Sequence, residues 1–465
     1  MSSKIGIIMS DKENYWLKME YNSEQKYIAL IDCDCFFVSC ERTLNPDLNN
    51  IAVCVTSGDR GCVIARSNEA KQMGIPMGYP LFMAKKEFPD CKYISANHAD
   101  YGKISQEVMS VLNNISPVVE IYSIDEAFVD LTGLSKLYGK NYYELAKYIR
   151  EKILSETGIP VSIGVSRTKT LAKLASDKAK NMESHVFMVG KCGINKLLKQ
   201  TSIDEIWGIG RRLAPKLKGH GIKTAYDYVQ KNDVWLKSRF GKNGLELKYE
   251  LIGNLLNKVS TEIKLPKSIS DSRAFPEFSS DLNYIKNELM IHIHAACRKL
   301  RKSGCKCSTI GVMLRTKDFK VYYDKTNIEC PVNFEFEISQ AAFPILEKLY
   351  NSEIIYRSVG IVLENFSSYY EEQLDLFRGT ERKKEKLAES LDKLEAKFGR
   401  NIVRTGFTNK YIPPKQEFLI KPYRKAGEKA YAPALLIYIF VDLRLFPTLF
   451  LLQQIQRNAW CLVCC

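Results

Sequence analysis

Two pairs of acidic residues stand where the chain is otherwise apolar. The run YIALIDCDCFFVSC, starting at Tyr27, reads as a buried β-strand, yet Asp32 and Asp34 interrupt it and Phe36 and Phe37 follow at once. Strand side chains alternate between faces, so Asp32 and Asp34 are predicted to project to the same side. Such a pair cannot stay buried as two bare anions; a proton or a cation must be present. The second pair, Asp125 and Glu126 in YSIDEAFVD, would point to opposite faces of a regular strand. Both reach one centre only if a bulge or tight turn lies there. Together these residues supply hard oxygen donors and no His or Cys cluster, a set that suits Mg2+ rather than zinc. Mg2+ held by carboxylates usually works on phosphates, and two such ions can activate an attacking oxygen and stabilise a leaving pyrophosphate. Each acid alone reads as a surface or capping carboxylate; the joint pattern points to a site.

Those acids need a scaffold, and the sequence supplies alternating elements around them. From Tyr27 to about Gly190, strand-like runs (IAVCVT, CVIAR, VVEIYSI, AFVDL, VSIGVS) alternate with helix-like runs such as DYGKISQEVMSVLNNI and YYELAKYIREKILSET, which predicts an α+β layer with a mixed sheet. SRTKTLAKLASDKAKN reads as a helix with Leu171, Leu174 and Ala175 on its buried stripe. Lys169, Lys173 and Lys180 fall near a common face of it. Residues 201–260 are helical with short loops, and residues 265–366 mix strands with amphipathic helices. In IDEIWGIGRRLAPKLKGHGI, Gly208 and Gly210 let backbone amides approach a phosphate, a grip that ignores base sequence, and Arg211, Arg212 and Lys216 follow directly. Further on, HAACRKLRKSGCKC concentrates five basic residues.

Bulk properties agree with a polyanionic partner. The chain has 465 residues, enough for two to four domains, and a net charge of +15, which favours nucleic acid. Its fourteen cysteines are scattered through apolar runs, so reduced thiols are expected rather than disulfides. The CxxC of Cys461 and Cys464 is a weak zinc signal, and His292 and His294 in MIHIHAAC would point apart on a helix. The N-terminus lacks an apolar core of signal-peptide length. Near the C-terminus APALLIYIFVDLRLFPTLFLLQQ is apolar, but Asp442, Arg444 and Pro447 interrupt it, so a membrane span is not expected.

Four ordered motifs, DCDCFFVSCE, VIARSNEAKQMGIPMG, YSIDEAFVDL and IGVSRTKTLAKLASDKAKN, together resemble the successive signatures of Y-family translesion DNA polymerases. The resemblance runs from about Tyr27 to Tyr423 and is nearest to the bacterial UmuC type. It implies an α+β multidomain right-hand polymerase with a ferredoxin-like palm, small fingers, a helix–hairpin–helix thumb, an α/β little finger and a flexible C-terminal tail. The corresponding divisions are a polar leader (1–26), palm and fingers (27–200), thumb (201–262), little finger (263–366), a tail with a clamp-binding motif (367–425) and an apolar extension of unknown role (426–465).

Carried over by position, the resemblance implies that Asp32, Asp125 and Glu126 are catalytic and ligate two Mg2+ ions, with the Cys33 carbonyl assisting and Mn2+ able to substitute. Asp34 matches a position often acidic in the family but not clearly a ligand. Phe37 matches the steric gate, whose ring excludes a ribose 2′-hydroxyl. Phe36, Asn68, Lys71 and Lys180 would contact the incoming nucleotide, with Arg66 as their neighbour. Where several relatives place Tyr and Arg against the phosphates this chain has Asn68 and Lys71, which weakens the case for a bidentate phosphate clamp. Gly208, Gly210, Arg211 and Arg212 would hold DNA, and the little finger would grip the duplex backbone. Gln373, Leu374, Asp375, Leu376 and Phe377 look like the bacterial sliding-clamp-binding peptide, an apolar plug in a polar tail. The implied activity is error-prone, DNA-templated extension of primers past damage in the SOS response, in the cytoplasm. Partners would be primer–template DNA, dNTPs and the clamp, with a processed UmuD-type dimer and a recombinase filament implied as accessories. Two other classes stay open at this point: a nucleotidyl cyclase on a similar palm, and a catalytically silent scaffold that binds DNA and clamp.

Overall fold

The computed structural model describes residues 26–59, 61–262, 265–368 and 381–398. The polar leader up to residue 25, the clamp-like motif at Gln373–Phe377, the Cys461/Cys464 pair and the apolar extension from 426 lie outside the described residues. The chain divides into two compact units between Ile263 and Lys264.

The first unit is built on a five-stranded mixed sheet in the order β5-β6-β1-β7-β8. Its strands are β1 (Ile28–Cys33), β5 (Val119–Ile121), β6 (Glu126–Asp130), β7 (Val161–Ser166) and β8 (Val186–Met188). β1 pairs antiparallel with both β6 and β7. Every residue of β1 is buried, so the strand shows no polar–apolar alternation: both of its faces are covered. Ala29, Ile31 and Cys33 pack with the residues of α4 (His98–Ile115) and α6 (Tyr142–Thr157), while Ile28 and Leu30 pack with Phe128 and with Ala172 of α7 (Lys169–Ala179). α7 lies so close to β7 that a Cβ on Gly164 would sit 2.0 Å from the Ser176 amide nitrogen. Only glycine fits there.

A second, three-stranded sheet joins β2 (Val53–Thr56), β3 (Val63–Arg66) and β4 (Lys92–Ser95) in the order β3-β2-β4. It carries the short helices α2 (Asn68–Gln72) and α3 (Leu81–Glu87), and it follows α1 (Phe36–Leu44) in the chain. After α5 (Leu134–Tyr138), α6 and α7 come four helices: α8 (Ile194–Gln200), α9 (Ala214–Gly219), α10 (Ala225–Val229) and α11 (Asp233–Leu251). Their core, with Ile203, Ile206, Ile209 and Leu217, is continuous with Leu171, Leu174 and Ala175 of α7. The predicted apolar stripe of α7 is therefore the seam on which the helical module sits.

The second unit is an antiparallel four-stranded sheet in the order β11-β10-β12-β9: β9 (Ser268–Ser279), β10 (Cys305–Thr316), β11 (Val321–Val332) and β12 (Tyr356–Ser368). Its apolar core is shared with α12 (Leu282–Lys302) and α13 (Glu335–Leu349). A polar helix, α14 (Glu381–Phe398), attaches to this unit through ion pairs. Glu395 meets Arg298 at 2.9 Å and His294 at 2.9 Å, and Asp392 meets Arg301 at 2.8 Å. Three of the basic residues of HAACRKLRKSGCKC thus have partners inside the unit, since Lys299 pairs with Asp271 at 2.6 Å. No described helix is long and apolar enough to cross a membrane.

Candidate active site

Asp32 and Glu126 come together because their strands pair, and a turn holds the Asp125 backbone beside them. Asp32 faces Glu126 across the β1–β6 ladder and Ser162 across the β1–β7 ladder. One residue on, the Cys33 amide donates to the Asp125 carbonyl at 2.9 Å. Between β5 and β6 the chain makes a tight turn in which the amides of Tyr122 and Ser123 donate to the Glu126 carbonyl at 3.0 and 3.1 Å. Asp125 lies in this turn and Glu126 is the first residue of β6, so regular strand alternation does not govern the pair. Ser123 holds the turn: its Oγ donates to Asp125 Oδ1 at 2.5 Å and accepts from the Glu126 amide at 3.0 Å. From α4, Ser105 Oγ donates to the Ile124 carbonyl at 2.6 Å, pinning the peptide before Asp125.

Asp34 lies one residue beyond β1, on the side expected for it, since the residue it meets, Ser162, is the one that faces Asp32 across the β1–β7 ladder. Its carboxylate accepts from Ser162 Oγ at 2.7 Å and lies 3.3 Å from His185 Nδ1, while Asp32 takes other partners.

Two lysines of α7 and its C-cap neutralise the remaining acids. Lys180 Nζ donates to Asp32 Oδ2 at 2.8 Å, and Lys173 Nζ donates to Glu126 Oε1 at 2.6 Å. Burial raises the Asp32 carboxyl to about 7 even though the Lys180 ammonium pulls it down, and a hydrogen bond with Glu126 adds to the rise. Burial also acts to raise Glu126, but Lys173 and the hydrogen bond from Asp32 hold it below the ordinary carboxylate range. Lys180 is raised: burial opposes the charge, and Asp32 outweighs burial. Burial, reinforced by the surrounding acids, pushes the Cys33 thiol well up, so it is a neutral core group; any ligand it offers is its carbonyl. Among the described residues no three His, Cys, Asp or Glu side chains form a ready-made cage for a metal. The reason is visible in the partners: Asp32 and Glu126 face lysines, and Asp125 faces Ser123. The donor set itself fits a hard divalent cation. The Asp32 and Glu126 carboxylates adjoin, Asp125 precedes Glu126 in the chain, and burial raises the Asp32 carboxyl to about 7, a penalty on its charge that a bound cation would relieve.

Phe37 is half-buried on α1, stacked on Tyr101 with ring centroids 4.8 Å apart and edge-on to His98 at 5.6 Å. Phe36 is 4% exposed and part of the core, so its ring is not available to a nucleotide; only its backbone is. α1 opens on Cys35, in left-handed backbone (φ 48°), with no side-chain cap. Over this end Lys71 Nζ donates to Cys35 Sγ at 3.0 Å and to Asn68 Oδ1 at 3.2 Å, so Asn68 and Lys71 do meet. Arg66 bonds instead to the Ile75 carbonyl, a structural partner. Gly208, in left-handed backbone (φ 93°), and Gly210, Arg211 and Arg212 form an exposed turn before α9. Ser105, Ser123, Ser162 and His185 were not singled out from sequence; serine is too common a residue to signal such roles. Lys173 and Glu126 both stood out in the sequence, but their pairing did not.

Comparison with known proteins agrees with this geometry. Residues 31–177 match the impB/mucB/samB family, residues 191–222 the helix–hairpin–helix motif of that family, and residues 266–376 its C-terminal domain. The chain is 33% identical to the protein UmuC of Salmonella typhimurium over 389 residues, covering 81% of this chain and 92% of that one. It is 32% identical to DNA polymerase IV of Oceanobacillus iheyensis over 397 residues, covering 82% and 91%. Among solved structures, a Y-family DNA polymerase chimera of Dbh and Dpo4 superposes with a TM-score of 0.62 at 25% identity, covering 74% of this chain and 99% of that chain. An insertion ternary complex of Dbh DNA polymerase superposes with a TM-score of 0.52 at 25% identity, over the same shares. These likenesses favour neither a cyclase nor a silent scaffold, and they support binding of DNA and dNTPs. The chain belongs to the impB/mucB/samB family and is a Y-family translesion DNA polymerase of the UmuC type.

Proposed function

We propose that Asp32, Asp125 and Glu126 form the catalytic centre of this polymerase. The observation that supports the assignment is the Asp32–Glu126 register, beside which the Cys33 amide donates to the Asp125 carbonyl at 2.9 Å, so that two segments distant in sequence are joined at their acids. Asp32, Asp125, Glu126 and the Cys33 carbonyl would hold the divalent cations, Mg2+ or Mn2+. When bound, such ions supply Lewis-acid stabilisation of the attacking and leaving oxygens in transfer of a nucleotide to a primer hydroxyl.

The chain's own groups do the rest. Glu126, kept ionised by Lys173, lies close to where the primer 3′-hydroxyl would lose its proton. Lys180 is anchored on Asp32 and can turn to a triphosphate as a mobile point charge. Lys71 and Asn68, at the uncapped start of the nine-residue α1, offer a cation and an amide beside free-facing backbone, which suits an anion. Phe37, braced by Tyr101, is the sugar gate. The exposed Gly208–Arg212 turn is the backbone grip on DNA. Gln373, Leu374, Asp375, Leu376 and Phe377 are the clamp peptide, with a UmuD-type dimer and a recombinase filament as accessory partners of damage-induced synthesis.

Primer extension on the purified chain tests the assignment. Asp125→Ala and Glu126→Ala are each expected to lower template-directed extension by about a thousandfold or more while DNA affinity stays within a few fold. Extension at the unaltered rate would reject the site.

A further inference from the structure

We infer that Trp207 is a positioning residue for the catalytic loop, holding the turn that carries Asp125 and Glu126 against the DNA-gripping turn of the helical module. The inference rests on the catalytic centre proposed above. Trp207 immediately precedes Gly208, at the start of the exposed Gly208–Arg212 turn. Its indole Nε1 donates to Tyr122 Oη at 3.2 Å, and its ring stands edge-on to the Tyr122 ring, centroids 5.3 Å apart at 86°. The same indole lies 5.9 Å from the ring of Phe128. Tyr122 is in the turn itself, three residues before Asp125; Phe128 is fully buried on β6, two residues after Glu126. Trp207 therefore touches the catalytic segment on both sides of its acids.

It can position only if it is itself fixed, and it is. Ile206 and Ile209, on either side of it, are 2% and 3% exposed in the core shared with α7, which anchors the backbone that carries the indole. Leu255 and Val259 pack with it against Ile28, Leu30 and Phe128. Glu120, at the centre of β5, pairs with Lys169 and accepts from the Ser260 amide at 2.7 Å, tying the chain that leaves α11 to the strand entering the turn. Tyr122 is 46% exposed, and its side chain rests on the Trp207 indole and on the Phe128 ring, 5.8 Å away. Catalysis is sensitive to this, because a displacement of about 1 Å in a reacting group can cost on the order of a hundredfold in rate.

The test separates rate from affinity. Single-turnover primer extension at saturating dNTP and DNA is measured for the full chain and for Trp207→Phe, Tyr122→Phe and the double variant, with DNA Kd measured in parallel. Trp207→Phe keeps an aromatic ring and loses the donor; Tyr122→Phe loses the acceptor. Each is expected to slow the single-turnover rate about three- to tenfold with Kd within twofold of the unaltered chain, and the double variant to be no slower than the singles. Unchanged rates, a Kd rise that accounts for the loss, or fully additive losses in the double variant would each overturn the inference. If the unaltered chain fails to extend primers at all, the catalytic assignment falls; if it extends and the phenylalanine variants match it, only the role of Trp207 falls.

Discussion

At Asp32 the catalytic role proposed above and the stability of the fold pull against each other. It is 6% exposed, and burial raises its carboxyl from 3.8 to about 7. Between those values the folded chain holds a proton that the unfolded chain has lost, so stability falls as pH rises from about 4 to about 7 and stays at the lower level above that. Asp32→Asn removes this penalty, although Lys180 then loses its anionic partner. With chelator present, urea unfolding at pH 8 is expected to show the variant more stable by about 1–3 kcal/mol, a gain that shrinks to nothing near pH 4. A variant no more stable than the original chain at pH 8 would show that Lys180 already compensates the buried charge. The acids themselves were legible in the sequence because carboxylates inside an apolar strand demand an explanation. The serines that aim them were not: Ser123 and Ser105 act through hydroxyl geometry across a turn and a helix, which no spacing rule encodes.

At the scale of elements, sequence periodicity gave the right pieces where one force dominated. α7 carries its apolar stripe on Leu171, Leu174 and Ala175 because packing on the helical module decides its orientation. The basic run in α12 was harder to read, since charge invites a solvent or nucleic-acid role while Arg298 and Arg301 in fact meet acids of α14. Such pairs bind α14 to the unit, and His294 is central to them. Burial alone would lower the His294 pKa, but the hydrogen bonds to Glu335 and Glu395, and the charges of those acids, raise it to about 9. Arg298 and Arg301 face the same acids, and Asp392 completes the group. A histidine raised in the folded state contributes stability fully below its unfolded value of about 6.5, and that contribution disappears as pH climbs through about 9. Amide protection factors in residues 386–397, normalised for intrinsic exchange, are therefore expected to be constant below pH 6.5 and to fall between pH 7 and 10. The fall should be much smaller in His294→Gln, whose docking starts weaker. Protection that is flat across this range in the unaltered chain would mean that the arginines alone hold the helix.

Over the whole molecule, the net charge of +15 identified a polyanion as partner but could not say where it is held, because several of the basic residues that stood out in the sequence are engaged within the fold. Lys169, Lys173 and Lys180 each pair with an acid of the sheet or its turns, and Lys299 and Arg301 pair within the second unit. Arg211 and Arg212 differ: they are exposed on a glycine turn whose backbone is open to a phosphate. Phosphate contacts of this kind act by releasing counterions, and each one contributes close to one unit to the slope of log Kd against log salt. Fluorescence anisotropy with a primer–template between 50 and 300 mM salt is thus expected to give a steep slope for the unaltered chain. The Arg211→Ala, Arg212→Ala double variant should show a slope smaller by about 2 and a weaker Kd at every sequence tested, with extension from saturating DNA unchanged. A preserved slope would place the electrostatic grip elsewhere. A slope that fell together with the rate at saturating DNA would mean instead that these arginines order the reacting end, and not merely the duplex that leads to it.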